Sequence, residues 1–119
     1  MIPKFRAWDK DNEHMYFVAE INLVEELISV DEYDYIFDFS DVVLMQSTGL
    51  FDKNGKEIFE GDVVRIFDEK LSKIYYSDGA FCVDILNGGT PLHAFLSDLH
   101  AFLSEQLEVI GNVWEGGNQ

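Results

Sequence analysis

Apolar positions along this chain recur mostly at every second residue, in short runs broken by polar turns. Met1 to Phe17 reads as a pair of strands: Phe5, Ala7 and Trp8 precede a polar turn at Asp9–Asn12, and Met15, Tyr16 and Phe17 follow it. Residues 33–39 alternate most clearly. Tyr33, Tyr35, Phe37 and Phe39 fall on one side and Asp34, Ile36 and Asp38 on the other, the period of a half-buried strand. Val42–Met45 is more continuously apolar, as in a buried strand or an extended segment. Asn54-Gly55 then marks a tight hairpin, because both residues tolerate positive φ, and Glu60-Gly61-Asp62 turns the chain into the β-branched run Val63–Phe67. Ile74–Tyr76 and Ala80–Ile85 flank Ser77-Asp78-Gly79 as a further hairpin, closed by Asn87-Gly88-Gly89. Val109–Trp114 is a last strand, interrupted by Gly111.

Two segments carry a helical period instead. Asn22 is placed as an N-cap with Glu25 three residues on, and Leu23, Leu27 and Ile28 form a stripe, which predicts a short helix over about 23–29. Thr90-Pro91 sets a capping hydroxyl before a proline at the first helical position. Leu92, Phe95, Leu96, Leu99, Phe102 and Leu103 then share one face, which predicts a long amphipathic helix over about 91–103. Together these elements predict a β-dominated α+β domain: a curled antiparallel sheet or small barrel of about seven short strands, with the long helix packed across it. The 119 residues, 47% of them hydrophobic and without a linker or internal repeat, predict one domain over 1–119.

Charge narrows the partners. Eight Lys and Arg stand against 23 Asp and Glu, a net charge of −15. Such a surface repels phosphate backbones and anionic membranes, so direct nucleic-acid or membrane binding is not expected. The plain reading of the acidity is solubility; the sharper one is attraction to basic proteins or imitation of a nucleic acid. The single cysteine, Cys82, has no partner for a disulfide, no apolar run reaches membrane-spanning length, and the start of the chain lacks a signal-peptide pattern. A cytoplasmic setting is expected.

The chemistry-bearing residues do not assemble into a motif. His93 and His100 lie two helical turns apart, about 10 Å, too far for one ion. Cys82 between Phe81 and Val83 suits a buried, inert thiol. Zinc-ligand spacing, phosphate-cradling glycine loops and a nucleophile elbow are missing from the sequence. No catalytic, cofactor-binding or metal-binding residue is assigned, and the chain is not read as an enzyme. Gln46-Ser47-Thr48-Gly49-Leu50 carries hydroxyl and amide groups of the kind that cap turn backbones. The other use of this region is an interaction edge, for which Gln46, Thr48 and Asp62 are the candidates. The aromatic run Tyr33–Phe39 is either a core face or a self-associating surface.

Three segments, taken in order, carry a family resemblance. They are Lys4-Phe5-Arg6-Ala7-Trp8-Asp9, the central stretch from Leu44 through Asn54-Gly55 to Val64, and Val109-Ile110-Gly111-Asn112-Val113-Trp114-Glu115. Over residues 4 to 115 the chain resembles the YopX-like family of phage and prophage proteins. The resemblance implies a phage or prophage origin and a bacterial host cytoplasm; it brings no chemistry and no site residue. The function expected is that of a non-enzymatic accessory protein acting by protein–protein contact, as a homo-oligomer or on a host protein. The alternative is an acidic nucleic-acid mimic that inhibits a host DNA- or RNA-binding enzyme.

Overall fold

The computed structural model describes residues 4–32, 34–67, 70–84, 89–95 and 107–115. Short side chains at turns dictate most of the element order. The chain forms two compact units, Met1–Gln46 and Ser47–Gln119.

In the first unit, β1 (Phe5–Asp9) and β2 (His14–Asn22) form an antiparallel hairpin. Its turn is built by Asp9, which is buried. Oδ1 accepts the N–H groups of Asp11 and Asn12 at 3.0 and 3.3 Å, and Oδ2 accepts the Asn12 side-chain amide at 2.9 Å. Glu13, at φ 52°, redirects the chain into β2. β3 (Leu27–Val30), β4 (Ile36–Asp38), a 3-10 turn at Phe39–Asp41 and the first half of β5 (Val42–Phe51) complete the unit. All pairings are antiparallel, and the strands lie in the order β4-β3-β2-β1-β5. The register places Ala7 between Tyr16 and Leu44, so one face of the sheet collects the core: Ala7, Tyr16, Ile28, Val30 and Val42, with Val18, Ile21, Phe37, Phe39 and Leu44 packed on it.

In the second unit, the end of β5 pairs with β6 (Glu57–Phe59). β7 (Asp62–Ile66), β8 (Lys70–Lys73) and β12 (Leu107–Asn112) form a sheet ordered β12-β7-β8. β9 (Tyr75–Ser77), β10 (Ala80–Asp84) and β11 (Gly89–Pro91) form another, ordered β11-β10-β9. A helical turn, α1 (Leu92–Phe95), follows. The core consists of Ile58, Val64, Ile66, Ile74, Val83, Leu92, Leu107 and Val109, roughly one buried side chain from every second position of each strand.

The hairpins read from sequence are present. Gly55 at φ 80° turns β5 into β6, and Asp78-Gly79, at φ 51° and 84°, turn β9 into β10. The strand expected at Val109–Trp114 is β12, and its register with β7 shifts between Val109 and Gly111, where the interruption was expected.

The α+β assignment is overturned. Among the described residues the structure is almost all β, in antiparallel sheets, and no helix reaches seven residues. The helix expected over 23–29 is a turn followed by β3. Asn22 does cap it, accepting the N–H of Val24 at 3.1 Å and of Glu25 at 2.9 Å. One turn later Glu26 adopts φ 57° and sends the chain back as a strand. Leu23, expected in the apolar stripe with Leu27 and Ile28, is exposed, as is its neighbour Val24. The helix expected over 91–103 does not begin at Thr90-Pro91, because both residues belong to β11, with Thr90 opposite Val83 and Pro91 opposite Cys82. Proline is tolerated there since an edge strand need not use every N–H. Only Leu92–Phe95 is helical, and the remainder of that expectation, including Leu96, Leu99 and Phe102, lies outside the described residues. Of the described residues, no helix is long and apolar enough to cross a membrane.

Candidate functional site

The three residues proposed from sequence as an interaction edge are used by the fold in different ways. Gln46 is half-buried in β5 opposite Phe5, in the first unit. Thr48 and Asp62, in the second unit, both turn onto β6. The Thr48 hydroxyl donates to the Ile58 carbonyl at 2.7 Å and accepts the Leu50 N–H at 3.1 Å. Asp62 is buried, and its Oδ2 accepts the Phe59 N–H at 2.8 Å. Ser47, beside Thr48, donates its hydroxyl to Glu57 and accepts the Gly49 N–H at 3.0 Å. These groups satisfy strand and turn backbone where the β5–β6 pairing is irregular between Ser47 and Phe51.

The residue that sequence reasoning missed in this region is Asp52. Its side chain is buried, with Oδ1 accepting the N–H groups of Asn54 and Lys56 at 2.8 Å each and Oδ2 accepting that of Val109 at 2.9 Å. The sequence signal was present in part: an Asp two residues before Asn-Gly's asparagine is a turn-builder, whereas its hold on β12 is not readable locally.

A polar set that links β8 to the β9–β10 sheet was also not anticipated. The Tyr75 hydroxyl donates to Asp84 Oδ1 at 2.6 Å, and the Asp84 N–H donates to the Ser72 hydroxyl at 2.9 Å. The hydrogen bond to Asp84, aided by burial and by the carboxylate charge, pushes the Tyr75 phenol up to about 12. A phenol held neutral in this way is a poor base or nucleophile. The Ser72 hydroxyl donates in turn to the Lys73 carbonyl at 3.1 Å, so it too is committed to structure. Cys82 is buried in β10, as its apolar neighbours suggested. Among the described residues, no three His, Cys, Asp or Glu side chains gather as a metal-binding group.

What remains open is an aromatic groove in the first unit. Tyr16 on β2 and Phe37 on β4 are brought together because both strands flank β3, their ring centroids 5.4 Å apart. Tyr35, just before β4, stands edge-on to both, 6.0 Å from Tyr16 and 6.3 Å from Phe37, each at 81°. These rings, with Asn12 and Ile36, line an open cavity of about 390 Å³. His14 lies against Tyr16 at 4.5 Å, and its Nε2 is 3.7 Å from the Glu32 carboxylate, which places a negative charge at the rim. Ile36 is 65% exposed and Tyr35 47%, although Phe37 packs on the core. The alternation over 33–39 thus survives in part: β4 spans only Ile36–Asp38, its aromatic face is core at Phe37, and Tyr35 and Ile36 remain at the surface. Tyr33 lies outside the described residues.

Comparison with known proteins agrees with this architecture. Residues 4–118 match the family described as YopX protein. A crystal structure of protein EF1440 from Enterococcus faecalis is similar at a TM-score of 0.70 and 30% sequence identity, over 99% of this chain and 97% of that one. No curated protein matches the chain.

Proposed function

We propose, from the premise that this chain belongs to the YopX protein family, that it is a phage-type accessory protein which acts in a bacterial host by binding another protein rather than by catalysis. The observation that carries this reading is the exposed apolar edge made by Ile36, on the three-residue strand that closes the sheet of the first unit, and by Tyr35 just before it. Beyond β4, no strand among the described residues pairs with its outer side. An exposed strand edge with large apolar side chains invites a partner strand. The polar side chains best placed for chemistry, by contrast, accept backbone N–H groups at Asp9, Asp52 and Asp62. A second copy is the less favoured partner, because each chain brings a net charge of −15.

The test compares proteins retained from host lysate by the wild-type chain with those retained by Ile36→Asp, using Tyr76→Ser, an exposed position on β9, as control. Ile36→Asp is expected to lose a partner that Tyr76→Ser keeps, with unchanged melting. Retention by Ile36→Asp overturns the reading. Loss that instead follows neutralisation of Glu25, Glu26, Asp31 and Glu32, and ignores Ile36, favours the polyanion mimic. Sedimentation of the purified chain at tens of micromolar decides self-association.

A further inference from the structure

We propose that the groove lined by Tyr16, Tyr35 and Phe37 receives a cationic side chain, Arg or Lys, presented by an extended basic segment of a partner protein. This rests on the docking reading above and names the chemistry of the occupant. The three rings are mutually inclined, Tyr35 at 81° to each of the other two, so they form walls rather than a stack. Aromatic faces carry the negative part of the ring quadrupole and attract a cation, most strongly where water is excluded. The open cavity of about 390 Å³, which Ile36 also lines, has room for a guanidinium or ammonium head with part of its aliphatic stem.

The electrostatics select the same occupant. Glu32 stands at the rim through its contact with His14, and Asp31, Asp34 and Asp38 are exposed in and around the β3–β4 connection. Asp34 is set there by a positive φ of 55°, a backbone state that Asp adopts more readily than most residues. These carboxylates repel an anionic ligand and attract a basic segment, an effect that salt weakens. Asn12 adds a neutral amide to the wall, able to accept from a cationic N–H. The segment itself is extended because β4 offers main-chain groups at the sheet edge, and alternate residues of an added strand point to the same side. One residue in two therefore faces the groove, and the proposal is that this residue is basic.

Calorimetric titration of the full chain with two acetylated, amidated decapeptides tests this: alternating Thr-Arg, and the same sequence with norleucine for Arg. The Arg peptide is expected to bind saturably at one per chain and the norleucine peptide at least about tenfold more weakly. Tyr35→Leu, at an exposed position, is expected to weaken the Arg peptide about tenfold with unchanged melting, and Glu32→Gln to weaken it about threefold. Equal binding by wild type and Tyr35→Leu would mean diffuse attraction to an acidic surface and overturn the proposal. Equal binding of the two peptides, or no saturable binding, overturns it as well. If the peptides fail while Ile36→Asp still loses its host partner, the cationic occupant alone is wrong. If Ile36→Asp keeps that partner, the docking reading falls first.

Discussion

Asp52 Oδ2 accepts the N–H of Val109 at 2.9 Å, so a turn carboxylate holds a strand that lies 57 residues further along the chain. The Lys53 N–H donates to the Leu107 carbonyl at 3.0 Å beside it, and Lys53 Nζ lies 3.8 Å from Glu108. The β5–β6 turn and β12 are therefore joined by backbone as well as side-chain bonds, with Asp52 the buried member. Asp52→Ala leaves the N–H groups of Asn54, Lys56 and Val109 without their acceptor. Stability should fall by about 2–3 kcal/mol in urea unfolding. A loss below about 0.5 kcal/mol would show that water replaces the carboxylate without cost.

At Gly55 the cost of substitution is confined to the backbone. Its φ is 80°, and nothing lies within 4 Å of an added Cβ. Gly55→Val should destabilise by about 1–2 kcal/mol, and Gly55→Asn by distinctly less, because Asn tolerates the left-handed region. Equal losses in thermal melts would point to a steric clash instead.

Gly89 presents the opposite case: a Cβ there would overlap the Tyr75 hydroxyl. Gly89→Ala should displace Tyr75 from Asp84. Tyr75→Phe removes the obstructing oxygen, so the double variant should be more stable than the sum of the single losses, by about 0.5 kcal/mol or more. Strict additivity in chemical denaturation would mean the ring moves aside freely.

Asp9 should give the acid limb of the stability curve a specific component. Burial acts to raise its carboxyl, but the Asn12 side chain, the N–H groups of Asn12 and Asp11, and His14 outweigh it and hold it below its ordinary 3.8. A carboxyl depressed in the folded state stabilises fully above its unfolded value, and that contribution disappears as pH falls through the folded value. Stability should thus decline from about pH 4 downward, and Asp9→Asn, which keeps an acceptor oxygen, should show a shallower decline. Parallel acid limbs in the two proteins would remove Asp9 from the explanation.

The turns were legible because their chemistry is local. Asn54-Gly55 and Asp78-Gly79 need positive φ, and few other residues supply it cheaply. The helix at 23–29 misled for a related reason. Asn22 makes the same two hydrogen bonds in a helix cap and in an isolated turn, and the outcome is decided at Glu26 and by pairing of Leu27–Val30 with β2. Thr90-Pro91 was likewise ambiguous, since proline suits both a first helical turn and an edge strand. The site was partly visible. The aromatic alternation over 33–39 marked the segment that supplies Tyr35 and Phe37 to the groove, but only the sheet order brings Tyr16 from β2 to it. Asn12 and Glu32 join through the hairpin geometry rather than through any motif. Gln46, Thr48 and Asp62 attracted notice as polar groups in a distinctive stretch, and Thr48 and Asp62 prove to be held by backbone partners.

Cys82 is the chain's single cysteine, and it sits buried on the central strand of its sheet, opposite Tyr75 on one side and Pro91 on the other. With Cys82 only 7% exposed, a thiol reagent reaches it chiefly when the fold around β10 opens. The native protein therefore carries a built-in clock: the rate of labelling reads that opening directly, without any introduced probe. When labelling outpaces reclosing, the rate equals the frequency of opening; when reclosing wins, it scales with the fraction of molecules open. Varying reagent concentration moves the same residue between the two regimes.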